Sequence, residues 1–134
     1  MRRRGRLMKW LRRLAWLSLV PTAVAGCSQN YAAERLFWKA QRQHGAVLKD
    51  PGKASPEQIT VAVADFERLV KQVPDSVWAG RAQLAVGTLH LSQRHYDQAR
   101  EAYRLVMQNY NRYRDLSLRA RLSIAKSFEA EDRW

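Results

Sequence analysis

The sequence predicts an all-α fold in which antiparallel helix pairs stack on one another. Three observations carry this. After residue 30 the apolar residues recur at three- and four-residue spacing, and no tract alternates with period two. Cap and turn signals divide this stretch into helices of ordinary length. The spacing of small and aromatic residues in one segment then recurs in its neighbours, the mark of a repeat.

The first element, Tyr31 to about Leu48, carries Ala33, Phe37, Ala40 and Val47 on one stripe. Lys49-Asp50-Pro51-Gly52-Lys53-Ala54 is a turn-rich linker. Ser55-Pro56-Glu57-Gln58 reads as a helix start, with a serine cap, proline in the first turn and glutamine at capping-box spacing. The helix that follows turns Ile59, Ala62, Val63, Phe66, Leu69 and Val70 inward and stops before Pro74, where Asp75-Ser76 offers the next cap. Trp78 to Leu91 is rich in small residues, with Ala82, Ala85 and Val86 to one side, and Gln93-Arg94-His95 breaks it. Asp97 opens a helix to about Tyr110 with Ala99, Ala102, Tyr103 and Val106 inward. After the polar turn Asn111-Arg112-Tyr113-Arg114, Asp115 caps a final helix through Ala130, with Leu118, Leu122, Ala125 and Phe128 or Ile124 inward.

Residues 1–26 are expected to be a targeting segment rather than fold. Arg2, Arg3, Arg4, Arg6, Lys9, Arg12 and Arg13 precede a short apolar run over residues 14–25, and small residues then lead to Gly26-Cys27. That is the order of a cleaved secretory signal. A permanent membrane helix needs about 20 apolar residues; this run is shorter and contains Pro21. The formal net charge of +12 is concentrated there, so the remainder is only mildly basic. The nucleic-acid binding that a pI near 10.7 implies is weakened accordingly. A single cysteine excludes an internal disulfide and a clustered zinc site.

Val24-Ala25-Gly26-Cys27 resembles the bacterial lipobox. The resemblance implies cleavage after Gly26 and a diacylglycerol thioether on Cys27, leaving residues 27–30 as a lipidated tether. Ser28, where an aspartate signals inner-membrane retention in enterobacteria, points to the outer membrane. Residues 31–134 resemble a tetratricopeptide-repeat array, a short right-handed α-solenoid. Gly87, Ala99 and Tyr103 stand at the family's spacing, Val86 takes the aliphatic place, and Tyr96 the aromatic place before the second helix. The chain departs from the family at His90, Gln83 and Asn111, where an aromatic, Trp and Pro are usual. Ala62, Phe66 and Pro74 repeat the spacing upstream, and Ala120, Leu122, Ile124, Ala125 and Phe128 downstream. On this register the third unit lacks its second helix. Leu122, Phe128 and Trp134 are therefore expected to lack cover, and the chain to be truncated, part of a longer protein, or closed by dimerisation.

No catalytic constellation is legible. His44, His90 and His95 are isolated in sequence, the acids are scattered, Glu129-Glu131-Asp132 reads as solvated chain end, and no Gly-rich phosphate loop is present. Arg112-Tyr113-Arg114 with Arg119, Arg121 and Lys126 interleaves bases and an aromatic, but reads as a polar turn and solvated face. The expectation is therefore not an enzyme, with no metal, no cofactor beyond the covalent lipid, no nucleic acid and no small-molecule substrate. Stacked pairs form a concave surface along their first helices, placing Arg81, Thr88 and Ser92 opposite Arg119 and Lys126 as a partner-binding groove suited to carboxylates. Arg35, Lys39 and Arg42 form a second basic stripe suited to anionic headgroups. The resemblance extends to periplasmic lipoproteins of this repeat class, including BamD-type components of outer-membrane assembly. It implies a noncatalytic scaffold binding envelope proteins, anchored by its lipid at the periplasmic face of the outer membrane. A fragment or module of a larger envelope enzyme or polysaccharide-export complex is the alternative.

Overall fold

The computed structural model describes residues 21–132, with side chains from residue 30 onward. Residues 1–20 of the expected signal segment, the side chains of Val24, Ala25, Gly26 and Cys27, and Trp134 lie outside the described residues. The chain divides between Ala32 and Ala33 into two units, and the packed core belongs to the second.

Six α-helices make up the described residues: α1 (Pro21–Gln43), α2 (Gly45–Lys49), α3 (Pro56–Gln72), α4 (Val77–Ser92), α5 (Tyr96–Asn109) and α6 (Arg114–Ala130), with a 3-10 turn at Pro51–Lys53 between α2 and α3. No strand occurs among these residues. The first helical tract breaks at His44, so that Val47 lies on a separate short helix and α1 begins upstream of Tyr31.

Local signals set the later boundaries. Ser55 forms the full capping box: its Oγ accepts from the Gln58 amide at 3.3 Å, and Gln58 Oε1 accepts from the Ser55 amide at 2.9 Å. Ser76 caps α4 by accepting from the Ala79 amide at 3.1 Å. Between α4 and α5 the His95 amide donates to the His90 carbonyl, and the Arg94 amide to that of Leu91. This is a Schellman closure. Its left-handed residue is Arg94, with φ 60°, where glycine is usual. The expected cap at Asp115 is not formed. Tyr113 holds the cap position and Asp115 lies in the first turn, its negative charge near the helix N-terminus.

Each of α4, α5 and α6 packs on its predecessor, and α4 also touches α6. Two glycines in α4 allow this. A Cβ on Gly87 would stand 2.7 Å from Tyr103 Cδ1 and 2.9 Å from its Cζ; one on Gly80 would stand 2.7 Å from Leu116 Cδ1 and 2.9 Å from Tyr110 Cγ. Helix α4 is thus buried over most of its circumference, at Ala79, Gly80, Ala82, Gln83, Val86, Gly87 and Leu89. Ile59, Ala62, Phe66 and Leu69 of α3 and Ala99, Ala102, Tyr103 and Val106 of α5 complete the core.

Helix α6 is rotated from the sequence expectation. Leu116, Ala120 and Ser127 are buried, with Ile124 packed beside them, whereas Leu118, Leu122 and Phe128 are 59%, 55% and 38% exposed and Ala125 faces solvent. The cause is Gly80, which admits Leu116 and so selects the Leu116–Ala120 stripe for the core.

Candidate functional site

The side chains of α1 pack by aromatic contact rather than close backbone approach. Phe37 is buried against Phe66 of α3, with ring centroids 6.2 Å apart, and against Trp78 at the start of α4, at 5.3 Å. Trp38, the next residue, points off that stripe, stays 44% exposed and lies 6.0 Å from Trp78. The bulk of these rings holds α1 away from α4 and α6, and a groove of about 340 Å³ opens between the three helices.

Its walls are Phe37, Trp38 and Gln41 from α1, Arg81 and Leu84 from α4, and Asp115, Leu116 and Arg119 from α6. The Arg81 guanidinium stacks over the Trp78 ring at 4.6 Å, a cation–π contact that orients it while leaving its outward N–H groups usable. Neither Arg81 nor Arg119 forms an ion pair among the described residues. The groove therefore combines two guanidinium groups, one carboxylate, one amide and an aromatic wall. It can grip a carboxylate by charge-assisted hydrogen bonds while burying an adjacent apolar or aromatic group.

Of the five groove residues expected from sequence, Arg81 and Arg119 are brought together. Thr88 and Ser92 lie farther along α4 with their hydroxyls donating to its own carbonyls, Leu84 at 3.1 Å and Leu89 at 2.7 Å. Lys126 is exposed on α6, two turns beyond Arg119. None of these three lines the groove. The aromatic wall was not foreseen; its signal was Trp38 standing beside Phe37 yet off the apolar stripe. Arg35, Lys39 and Arg42 are exposed, and Lys39 borders a separate cleft of about 300 Å³ with Asp65 and Arg68.

The remaining titratable groups are mostly structural. His44 is buried, its Nε2 2.9 Å from Asp65 Oδ2, and Asp65 Oδ1 accepts from Arg68 at 2.9 Å. Arg112 donates to the Asp75 carbonyl and stacks on Tyr113, which fastens the α5–α6 turn to the α3–α4 turn. Glu131 is not solvated chain end. It accepts from Arg100 at 2.6 Å, while Asp97 accepts from the same guanidinium at 2.7 Å and Phe128 lies beneath it at 4.5 Å. These hydrogen bonds raise the Arg100 pKa above its ordinary value. His90 is half-buried, its ring 6.2 Å from that of His95 and its Nδ1 without a partner. Burial, then the His95 charge, push its pKa below 6.5, and Glu67 opposes them. Burial likewise raises the Tyr110 pKa. Among the described residues no group of three or more His, Cys, Asp or Glu side chains is placed to hold a metal, and no helix is long and apolar enough to cross a membrane. No family model matches the chain, and no curated protein or solved structure matches it.

Proposed function

We propose that this chain is a lipid-anchored, tetratricopeptide-like scaffold of the cell envelope that binds partner proteins through the α1–α4–α6 groove. The observation that carries the reading is the convergence of Arg81 and Arg119 on one groove walled by Phe37 and Trp38. Two cations that form no ion pair among the described residues, beside an aromatic surface, suit an extended acidic segment or a chain terminus better than a reacting substrate. The repeat component rests on equivalent positions behaving alike. Ala62 and Ala99 are fully buried at matching places, as are Phe66 and Tyr103, and Gly87 meets Tyr103 in close approach. The anchor rests on the Val24-Ala25-Gly26-Cys27 motif, and an outer-membrane location on Ser28. Noncatalytic action, with no cofactor beyond the lipid, rests on the scattered acids and histidines.

Two experiments test this. Affinity capture from detergent-solubilised envelope, with the full chain and with its Arg81→Glu/Arg119→Glu variant, should recover envelope proteins with the first and lose them with the second. Recovery of none, or of the same set by both, overturns the groove reading. Metabolic labelling with a fatty-acid analogue should mark the chain and fail with Cys27→Ser. Unchanged processing and location in that variant overturns the anchor.

A further inference from the structure

Helix α6 is apolar on two opposite faces. Leu116, Ala120 and Ser127 face the core, while Leu118, Leu122 and Ala125 form an outward stripe at i, i+4, i+7. A helix with two apolar faces is normally covered on both. Beside the outward stripe a cleft of about 470 Å³ opens between α5 and α6, with Met107 on its far wall and Leu118, Arg114 and Arg121 on the near one. On the helical wheel Arg114 and Arg121 edge the stripe on one side, and Arg119 and Lys126 on the other. None of these four forms an ion pair among the described residues. Asp115, in the first turn, also lines the cleft, one carboxylate beside the guanidinium groups of Arg114 and Arg121.

We propose that the Leu118–Leu122–Ala125 face of α6, with the Met107 cleft, is a docking site for an amphipathic helix of another protein whose apolar stripe is flanked by acidic residues. Three features select this occupant. The surface is concave and walled by two helices, the form that receives a helix at i, i+3/i+4, i+7 anchors; a flat lipid surface does not fill a cleft. The rims are cationic on both sides, so an acidic flank is complementary and a basic one is repelled. A second copy of α6 laid face to face would oppose the same rims, cation against cation. The site shares Asp115 and Arg119 with the α1–α4–α6 groove, but its apolar stripe and Met107 do not line that groove, so it stands whether or not the groove binds a partner.

The test uses the purified full chain and two fluorescent synthetic peptides of about 18 residues, five turns. Both carry leucine at i, i+4, i+7 and i+11, one flanked by glutamates and the other by lysines. Fluorescence anisotropy should show saturable binding of the glutamate-flanked peptide, at least about tenfold tighter than the lysine-flanked one. Leu118→Glu/Leu122→Glu should abolish it. Both leucines are exposed, so helix content by circular dichroism should be unchanged, and Lys71→Glu, an exposed charge reversal on α3, provides a folded comparison in which Leu118, Leu122 and the four rim cations are retained. Arg114→Glu/Arg121→Glu should invert the peptide preference. Equal affinity for both peptides, or loss of neither in the leucine variant, overturns the proposal. So does concentration-dependent dimerisation abolished by Leu118→Glu/Leu122→Glu, which makes a second copy the occupant. Binding to anionic phosphatidylglycerol vesicles without binding to either peptide also overturns it, in favour of a membrane surface.

Discussion

Replacing Gly87 with alanine sets two well-known effects against each other. In a helix interior, Gly→Ala is favourable by about 1 kcal/mol, because alanine loses less backbone entropy and shields the helix. At Gly87 the added methyl would stand 2.7 Å from Tyr103 Cδ1 and 2.9 Å from Cζ, both inside contact distance. The ring cannot swing aside cheaply. Tyr103 is 1% exposed, and its hydroxyl lies 3.4 Å from Thr88 Oγ1. Forcing a methyl into such packing costs about 1–3 kcal/mol through off-rotamer side chains and helix displacement, and three overlapping ring atoms place this site toward the upper end. The net expectation is a loss of about 1–2 kcal/mol. In a packed unit of this size that lowers the melting temperature by at least about 4 °C. Urea unfolding followed by circular dichroism at 222 nm should show a lower midpoint at unchanged slope. Gly45→Ala, where the added methyl meets nothing within 4 Å beyond its chain neighbours and its own helix backbone, serves as the control and should be neutral or slightly stabilising. Tyr103→Leu should be less harmful in the Gly87→Ala background than alone, with a coupling above about 0.5 kcal/mol. A Gly87→Ala chain as stable as the parent would refute the claim that this crossing is set by steric limit.

Three further outcomes follow from the side-chain geometry. Glu131→Gln should destabilise more than Asp97→Asn, by about 1–3 kcal/mol against a few tenths, because Glu131 is largely buried whereas Asp97 is 97% exposed, so losing Glu131 strands the 4%-exposed Arg100 with only a solvated partner; denaturation midpoints give the order. Arg94→Gly should stabilise by up to about 1 kcal/mol, since Arg94 holds the left-handed closing position of the α4–α5 turn, and an unchanged or lower midpoint would contradict that assignment. The folded-state pKa of His90 lies below the ordinary 6.5, so the unfolded chain takes up that proton first: the stability it contributes is complete above 6.5 and is lost as pH falls through 6.5 toward the folded value. Urea midpoints between about pH 7.5 and 5.5 should fall less in His90→Gln, and also less in His95→Gln, which removes the neighbouring charge.

The readable and unreadable parts of the fold differ in physical kind. Helices α3 and α5 were legible because each has one apolar stripe. Ile59, Ala62, Phe66 and Leu69, then Ala99, Ala102, Tyr103 and Val106, are the buried residues that a 3.6-residue period selects. The caps at Ser55 and Ser76 were legible because their chemistry is local. Helix α6 was misread because it carries two apolar stripes, and periodicity cannot choose between them; a glycine on another helix makes the choice. Arg100 and Glu131 were missed for a similar reason. Each alone looks like a surface charge, and only the return of α6 past the start of α5 joins them, with Tyr96 donating to the Ala130 carbonyl at 2.9 Å alongside. His90 and His95 looked isolated because their proximity is made by the turn between them, whose closing amide bond brings a position and its fifth successor together.

The groove was half legible for the same cause. Arg81 and Arg119 follow from helical spacing plus a repeat register, both one-dimensional properties. Which further residues join them depends on how far α1 stands off. The sizes of Phe37, Trp38 and Trp78 set that distance, not the register. Small residues pull α4, α5 and α6 together at Gly80 and Gly87, and large ones hold α1 apart, so one rule of side-chain volume closes one side of α4 and opens the other. Exchanging volume across that divide should therefore move the groove without unfolding the core. Trp38→Ala removes an exposed ring that packs on Trp78, so it should leave the unfolding midpoint within about 1 kcal/mol of the parent while weakening capture of any ligand that uses the aromatic wall. A Trp38→Ala chain that unfolds far more easily would show that α1 is held on by this ring, and that the groove and the core are not separable.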